Sequence, residues 1–487
     1  VRRPSWLEGY TPPDRYELAR QRERNPELAV PRATLSHDEH VRLIIAPNWG
    51  IRGNRTALGV AYLASTLEAA GHPCHVLDLA HELRIHDPRL DAELSELGDP
   101  RPNGGVYAPQ MPLMLEVMAP SEWPEGISGF AGRIVESAER DADRIGDPGA
   151  LHGLTVADSN VHYSFALAAA LKRRGCRVVL GGPSMSHYPT CDLALYGGIA
   201  DAVVMGEGEQ AIIALAEAHR EDRWDGLADQ LIAGLTVLVD GLPRRKPNFR
   251  NRELDALPFP DWKGQEHPPD FIPILAARGC VTKCSFCSEQ TISPKFAQRS
   301  VENVLAEMDE LHERFGQTSF EFNDDLLNGN MKWLLAFCDA LIERGSPYEW
   351  QGLCRPHRLD REILQKMWDA GCTQMSYGVQ HFSWRMLKIM GRKEEPDPLM
   401  QVLDDTLEVG MQTYIDVILG HPGETEEDVE ITVQTVRDLM ARYPNVAINL
   451  NPFNYIYGSA IDINPAAFDV VPEYFAQRLP EGLKHLE

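Results

Sequence analysis

Ile272-Pro273-Ile274-Leu275-Ala276-Ala277-Arg278-Gly279-Cys280-Val281-Thr282-Lys283-Cys284-Ser285-Phe286-Cys287 is the stretch from which the rest of the chain is read. A short apolar run reads as a buried strand. It ends at Arg278-Gly279 and passes into three cysteines spaced C-x3-C-x2-C. Three thiolates on so short a loop ligate three irons of a cubane cluster and leave the fourth iron open. An open iron is what a chelating substrate needs. Three cysteines are one short of a closed tetrahedral zinc site. A zinc site with a distant fourth ligand, or incidental thiols, are the competing readings.

Strand patterns recur downstream at 318–323, 348–353, 373–379, 412–419 and 446–451, with helical patterns between them. Together with 271–277 they give about six β/α units, which fits a partial barrel. The triplet, with Phe286 just before its last cysteine, resembles the radical S-adenosylmethionine (SAM) superfamily over roughly residues 271–460. That resemblance implies a 4Fe–4S cluster on Cys280, Cys284 and Cys287, SAM chelating the open iron, and reductive cleavage of SAM to a 5′-deoxyadenosyl radical. It also implies SAM contacts from Phe286. Asn323 or Asp324, in Phe320-Glu321-Phe322-Asn323-Asp324-Asp325, stands where a Gly-Gly-Glu usually meets the SAM amino group. Ser376 and Gln380 match the fourth-strand segment that binds the ribose, with Gln where Glu is frequent. Leu419 and Gly420, before His421-Pro422-Gly423-Glu424, match the segment against adenine. A competing reading has Asp324 and Asp325 capping the helix at 330–342. Tyr377, His381 and Tyr455 are acid–base candidates by position alone.

Upstream, 41–46 reads as a strand, 57–70 as a helix and 75–79 as a second strand, a β–α–β unit. The rhythm breaks over 80–150, read as an insertion facing substrate. It resumes with strands at 154–157, 177–180 and 201–205. Residues 41–240 are therefore expected to form one doubly wound, Rossmann-like α/β domain. Residues 1–40 read as an irregular arm, 241–270 as a Pro-rich linker and 461–487 as a tail.

Glycines follow two buried strands, at Gly181-Gly182-Pro183-Ser184 and Gly206-Glu207-Gly208. Such strand ends are where doubly wound sheets take ligands. Placed before a radical SAM core, and with the connector Leu254–Trp262, they resemble the cobalamin-binding domain of cobalamin-dependent radical SAM enzymes. The resemblance implies cobalamin contacts from Gly181, Gly182, Pro183, Ser184, Gly206, Glu207 and Gly208, and from Ser159 and Asn160. Asn48, Trp49 and Arg52 would lie under the corrin. No Asp-x-His-x-x-Gly occurs in 41–240, so the lower histidine position of cobalt is expected to be empty.

The implied activity is transfer of a methyl group from SAM, by way of methylcobalamin, to an unactivated carbon or phosphorus of a small-molecule or peptide substrate. Three alternatives stay open: ring contraction or cyclisation without net methylation, a methylthiotransferase, and a non-catalytic sensor. A methylthiotransferase would need Cys74, Cys176 and Cys191 to cluster, and they are widely spread. No cysteine follows Cys372, so no auxiliary cluster is expected.

Composition narrows the partners. The 487 residues carry a formal net charge of -25 with no long basic block, which argues against nucleic acid. No apolar run of about 18 residues marks a membrane span, and Val1–Trp6 has no apolar signal core. Scattered cysteines and metal-binding thiols fit a reducing cytoplasm, with flavodoxin or ferredoxin as electron donor.

Overall fold

The computed structural model describes residues 40–47, 57–97, 111–123, 126–248, 250–263, 271–292 and 295–471. They divide into two compact units. The expected loop at Asn48, Trp49 and Arg52 and the arm at 1–39 lie outside the described residues, as do 472–487.

The first unit is built on a seven-stranded sheet. Its strands are β1 (Val41–Ile45), β2 (Cys74–Asp78), β3 (Leu151–Thr155), β4 (Arg177–Gly181), β5 (Ala202–Val204), β6 (Leu235–Val239) and β7 (Leu242–Arg245). Their order is β2-β1-β3-β4-β5-β6-β7, parallel through β5. This is the flavodoxin-like doubly wound order, extended by an antiparallel hairpin. Alternation along β1 sends Val41, Leu43 and Ile45 into one core and Ile44 into another, so both sheet faces are covered.

Two expectations change here. The stretch 80–150 does not stand apart from the domain. Its helices Pro88–Leu97, Met111–Met118 and Gly129–Ile145 bury Leu90, Leu94, Met114, Val117, Ile134 and Ala138 in one of those cores. The start of the linker is likewise the edge strand β7. Its turn is Asp240-Gly241, at φ 52° and 76°, with Val239 paired to Leu242. A two-residue Asp-Gly loop with positive φ is the favoured hairpin turn, and Pro243 is tolerated because β7 is an edge. Further along, Asp261 N–H donates to the Ala61 carbonyl at 3.1 Å and Trp262 is buried, so this part of the connector is tied to the first unit.

The second unit is a six-stranded sheet in the order β15-β14-β13-β12-β11-β8, every pair parallel. The strands are β8 (Ile272–Ile274), β11 (Ser319–Phe322), β12 (Glu349–Cys354), β13 (Cys372–Gln380), β14 (Gln412–Leu419) and β15 (Val446–Pro452). A two-stranded ribbon, β9 (Ala277–Arg278) with β10 (Ala297–Gln298), follows β8. Strand order follows chain order, as right-handed β/α crossovers give in a partial barrel. Phe322, Trp333, Phe337 and Trp350 interlock between strands and helix, with Trp333 and Phe337 stacked at 5.3 Å. On β13, Met375, Tyr377 and Val379 are buried, and the Tyr377 hydroxyl meets Thr406 Oγ1 at 3.0 Å. Tyr377 is thus core rather than an acid–base group, and Ser376 and Gln380 point to the other, inner side.

Candidate functional site

The three cysteines occupy the loop after β9, at the C-terminal end of the barrel strands, each half-buried. Cys280 and Cys284 flank the Thr282 hydroxyl, at 3.0 and 3.7 Å from their sulfurs. Cys287 Sγ accepts from Glu289 N–H at 3.4 Å, while burial pushes its thiol up to about 12. A thiol held neutral by burial becomes a thiolate when a metal takes its proton's place. Among the described residues no three His, Cys, Asp or Glu side chains converge as ligands of a single ion do. Thiolates that each hold a different iron of a cubane need not share one centre. The donor set therefore fits a cluster with three protein ligands. The other six cysteines are buried. Cys74 packs in one core of the first sheet and Cys176 and Cys191 in the other, so the sheet separates them.

The loop is held from several sides. Ser285 N–H donates to the Met390 carbonyl at 3.0 Å, and the Ser285 carbonyl accepts from Ile461 N–H at 3.1 Å. Its hydroxyl lies 3.2 Å from Nε2 of His421. His421 Nδ1 faces the Pro422 carbonyl at 2.8 Å, and a carbonyl only accepts. The tautomer follows: Nδ1 carries the proton, and Nε2 accepts from Ser285. Burial lowers the His421 pKa and keeps the ring neutral. Phe286 meets the same ring edge-on at 6.4 Å, and Phe453 does so at 5.2 Å. His421 is a positioning residue, and its sequence context shows it only as the residue after the Leu419-Gly420 segment. The chain at 458–463, where the expected barrel passes into the expected tail, also clamps the loop: beside the Ile461 contact, Thr291 Oγ1 donates to the Gly458 carbonyl at 2.6 Å.

A buried charge group lies behind Cys284. Arg392 is 5% exposed; its Nη1 lies 3.7 Å from Cys284 Sγ and its Nη2 donates to the Gly378 carbonyl. Glu394 ties Arg392 to Arg355. Burial lowers the Arg392 pKa, with repulsion from Arg355 next.

The expected SAM contacts sort by geometry. Asn323 is exposed at the end of β11, its N–H on the Ile274 carbonyl at 2.8 Å. Asp324 is buried, and its Oδ1 accepts from Ala276 N–H at 2.7 Å. It clips β11 to the strand feeding the cysteine loop. Asp325 accepts from Gly279 N–H at 3.0 Å, so neither carboxylate caps the following helix; Asn330 does. Gln380 sits at φ 73° beside a register shift in β13, its amide folded against Gly378. Strain of this kind gathers at functional sites. Gly420 is exposed, and a β-carbon there would meet nothing within 4 Å. Leu419 is half-buried, its carbonyl accepting from Phe453 N–H at 2.7 Å. His381 is fully buried: Nδ1 accepts from Ser383 N–H at 2.9 Å, and Nε2 donates to Glu424 at 2.9 Å. Glu424 in turn takes Gly420 N–H at 2.6 Å. His381 thus shapes the Gly420 turn and is not placed as a proton acceptor.

At the first sheet, several expected contacts are structural. Asn160 is buried; it accepts from Ala157 N–H at 2.8 Å and donates to the Thr155 carbonyl at 3.1 Å. Ser184 is buried and donates to Asp158. A β-carbon on Gly182 would lie 2.6 Å from the Val156 carbonyl oxygen, so this glycine answers to its own backbone neighbour. Glu207 pairs with Arg250 at 2.5 Å and accepts from Asn251 N–H at 2.6 Å. Around them, Gly181 is open: a β-carbon would find only the Val204 carbonyl, at 3.8 Å. Ser159, Gly206 and Gly208 are half-buried and Pro183 exposed. At Gly181 the strand end therefore leaves room for a ligand to approach the backbone, whereas β-carbons on Gly206 and Gly208 would meet Asn248 at 3.4 Å and Leu63 at 3.3 Å.

Residues 274–436 match the model of the Radical SAM superfamily. An uncharacterized methyltransferase of Pyrococcus horikoshii is 26% identical over 306 residues, 61% of this chain and 66% of the relative. The cytidylyl-2-hydroxyethylphosphonate methyltransferase of Streptomyces wedmorensis is 24% identical over 411 residues, 77% of this chain and 71% of the relative. Among solved structures, the radical SAM methyltransferase TsrM of Kitasatospora setae, with cobalamin and a [4Fe-4S] cluster bound, superposes with a TM-score of 0.62 at 18% identity. That match covers 88% of this chain and 78% of TsrM, and it shows a shared fold.

Proposed function

We propose that this chain, which carries a radical SAM domain over residues 274–436, is a cobalamin-dependent radical SAM methyltransferase acting on an unactivated carbon, or phosphorus, of a small-molecule or peptide substrate. The observation that carries the reading is the three-cysteine loop, seated on a six-stranded parallel half-barrel in a chain that also holds a flavodoxin-like sheet with an open strand end. Relatives of both kinds named as methyltransferases support it.

Bound together, the three groups supply a low-potential electron, a cleavable and methyl-bearing sulfonium, and a cobalt that accepts and gives methyl. The residues do the rest. Cys280, Cys284 and Cys287 hold the cluster, and Ser285 and His421 fix their loop. Asn323, Ser376 and Gln380 offer polar groups to SAM, Phe286 and Leu419 offer apolar surface, and Gly420 lets adenine approach. Gly181, Ser159, Pro183, Gly206 and Gly208 border the cobalamin tail, while Asn48, Trp49 and Arg52, outside the described residues, are assigned to the lower cobalt face. Asp416, on the inner side of β14, is hydrogen-bonded to Asn449 at 3.0 Å and raised by burial, and so adds a polar wall. No described helix is long and apolar enough to cross a membrane. We place the enzyme in the cytoplasm, where a protein donor keeps it reduced.

Metal content tests the assignment. Anaerobic reconstitution followed by desalting should leave about four irons per chain and one cobalt. Replacing the three cysteines with Ala should remove the iron and keep the cobalt. Iron retained by that variant, or cobalt lost from the wild type, would overturn it.

A further inference from the structure

The surface beside the ligand loop is basic in a chain of formal net charge -25. Lys283, between two of the cysteines, is exposed, as are Lys388 and Lys393 on either side of Gly391. Backbone contacts join Lys283, Gly391 and Lys388, and Lys393 follows two residues after Gly391. A β-carbon on Gly391 would lie 2.7 Å from the Lys283 carbonyl oxygen, and Gly391 N–H donates to the Lys388 carbonyl at 3.1 Å. Lys388 Nζ lies over the Trp384 ring at 5.3 Å rather than in an ion pair. Val281, in the same loop, is an apolar residue 52% exposed. The neighbouring carboxylates are largely engaged: Asp428 by Arg385, Glu424 by His381, and Glu394 by Arg355 and Arg392. Glu395 and Asp397, exposed just past Lys393, are the counter-charges that follow along the chain. Under the patch, the Arg355 and Arg392 guanidiniums share the Glu394 carboxylate, and Arg392 also faces Cys284 Sγ.

We propose that Lys283, Lys388 and Lys393, around Val281, form the docking face for a small acidic one-electron carrier protein of the flavodoxin type. The inference rests on the cluster reading above and adds where the electron enters. In a chain whose net charge is negative, a local positive face steers an acidic carrier to the loop. An apolar centre with a charged rim is the anatomy of a transient interface. Contact at Val281 and Lys283 puts the carrier against the ligand loop itself, the shortest route to the sulfurs. The step is a single electron transfer: the carrier is oxidised by one electron, the cluster is reduced by one, and no bond forms or breaks.

The test is stopped-flow reduction of the reconstituted full chain by fully reduced flavodoxin at low ionic strength, read as bleaching of the cluster absorbance. Lys388→Glu with Lys393→Glu should slow the second-order rate about tenfold or more and reverse the sign of its salt dependence. The neutral pair Lys388→Gln with Lys393→Gln should fall in between. Photoreduced deazariboflavin, small and without the carrier's charge, should reduce all three proteins at the same rate. An unchanged flavodoxin rate in the charge-reversed protein, or equal slowing with both reductants, would overturn the docking face. A wild-type protein that neither reductant bleaches would instead overturn the cluster reading.

Discussion

Asp324 carries a prediction that separates its structural role from a ligand role. Its pKa is raised by burial to about 7, from 3.8, while two backbone amides and Arg299 act to lower it. The folded state therefore keeps a proton that the unfolded state releases. For this group, stability is highest below about pH 4, declines as pH rises toward 7, and is flat beyond. Asp324→Asn keeps an acceptor for Ala276 and removes the titration. Between pH 5 and pH 8, wild-type apoprotein should lose about 1–3 kcal/mol relative to this variant in urea unfolding. Parallel curves would contradict the assignment. His421 makes a second residue-scale case. His421→Phe keeps an aromatic ring between Phe286 and Phe453 but strips the Ser285 hydroxyl of its acceptor, at a cost of about 1–3 kcal/mol. Iron release to a chelator should quicken, and adding Ser285→Ala should restore much of the lost stability. If iron release matches wild type, His421 does not position the loop.

Elements show what the sequence reveals and what it hides. The strand expected at 412–419 is found there, because its alternation buries Thr413, Ile415 and Val417 on one face, and the one expected at 446–451 is the edge strand Val446–Pro452. The hairpin of β6 and β7 was missed although Asp240-Gly241 announces it; prolines nearby masked an edge strand. The helices of 80–150 were read as an insertion because charged residues dilute their apolar stripes, yet those stripes cover one face of the sheet. The loop's supports were illegible for another reason: Ser285, Met390, His421 and Ile461 meet only in three dimensions. Gly391 belongs to this scale. At φ 74° and pressed against the Lys283 carbonyl, it lets the turn after Trp384–Ile389 seat the loop. Gly391→Ala should lower iron retention after desalting while leaving the far-UV spectrum intact. Full iron retention would show that the loop does not depend on this contact.

Across the whole molecule, the residues proposed to ligate the cluster stand out because their spacing is local, whereas the contacts expected around cobalamin are legible only as positions. Asn160, Ser184, Gly182 and Glu207 stand at the right strand ends, but their polar groups or backbones serve the fold. A glycine or a short polar residue at a strand end looks the same in sequence whether it faces a ligand or its own backbone. The cysteines of the first unit illustrate the opposite case. Their wide spacing already spoke against a second cluster, and their burial on opposite sheet faces agrees. What the molecule does as a whole is best tested with SAM carrying a deuterated methyl group, incubated anaerobically with the reconstituted protein, a reductant and a candidate substrate. The account predicts S-adenosylhomocysteine and 5′-deoxyadenosine formed together and a product carrying the labelled methyl. Formation of 5′-deoxyadenosine with an altered substrate but no labelled methyl and no S-adenosylhomocysteine would contradict it.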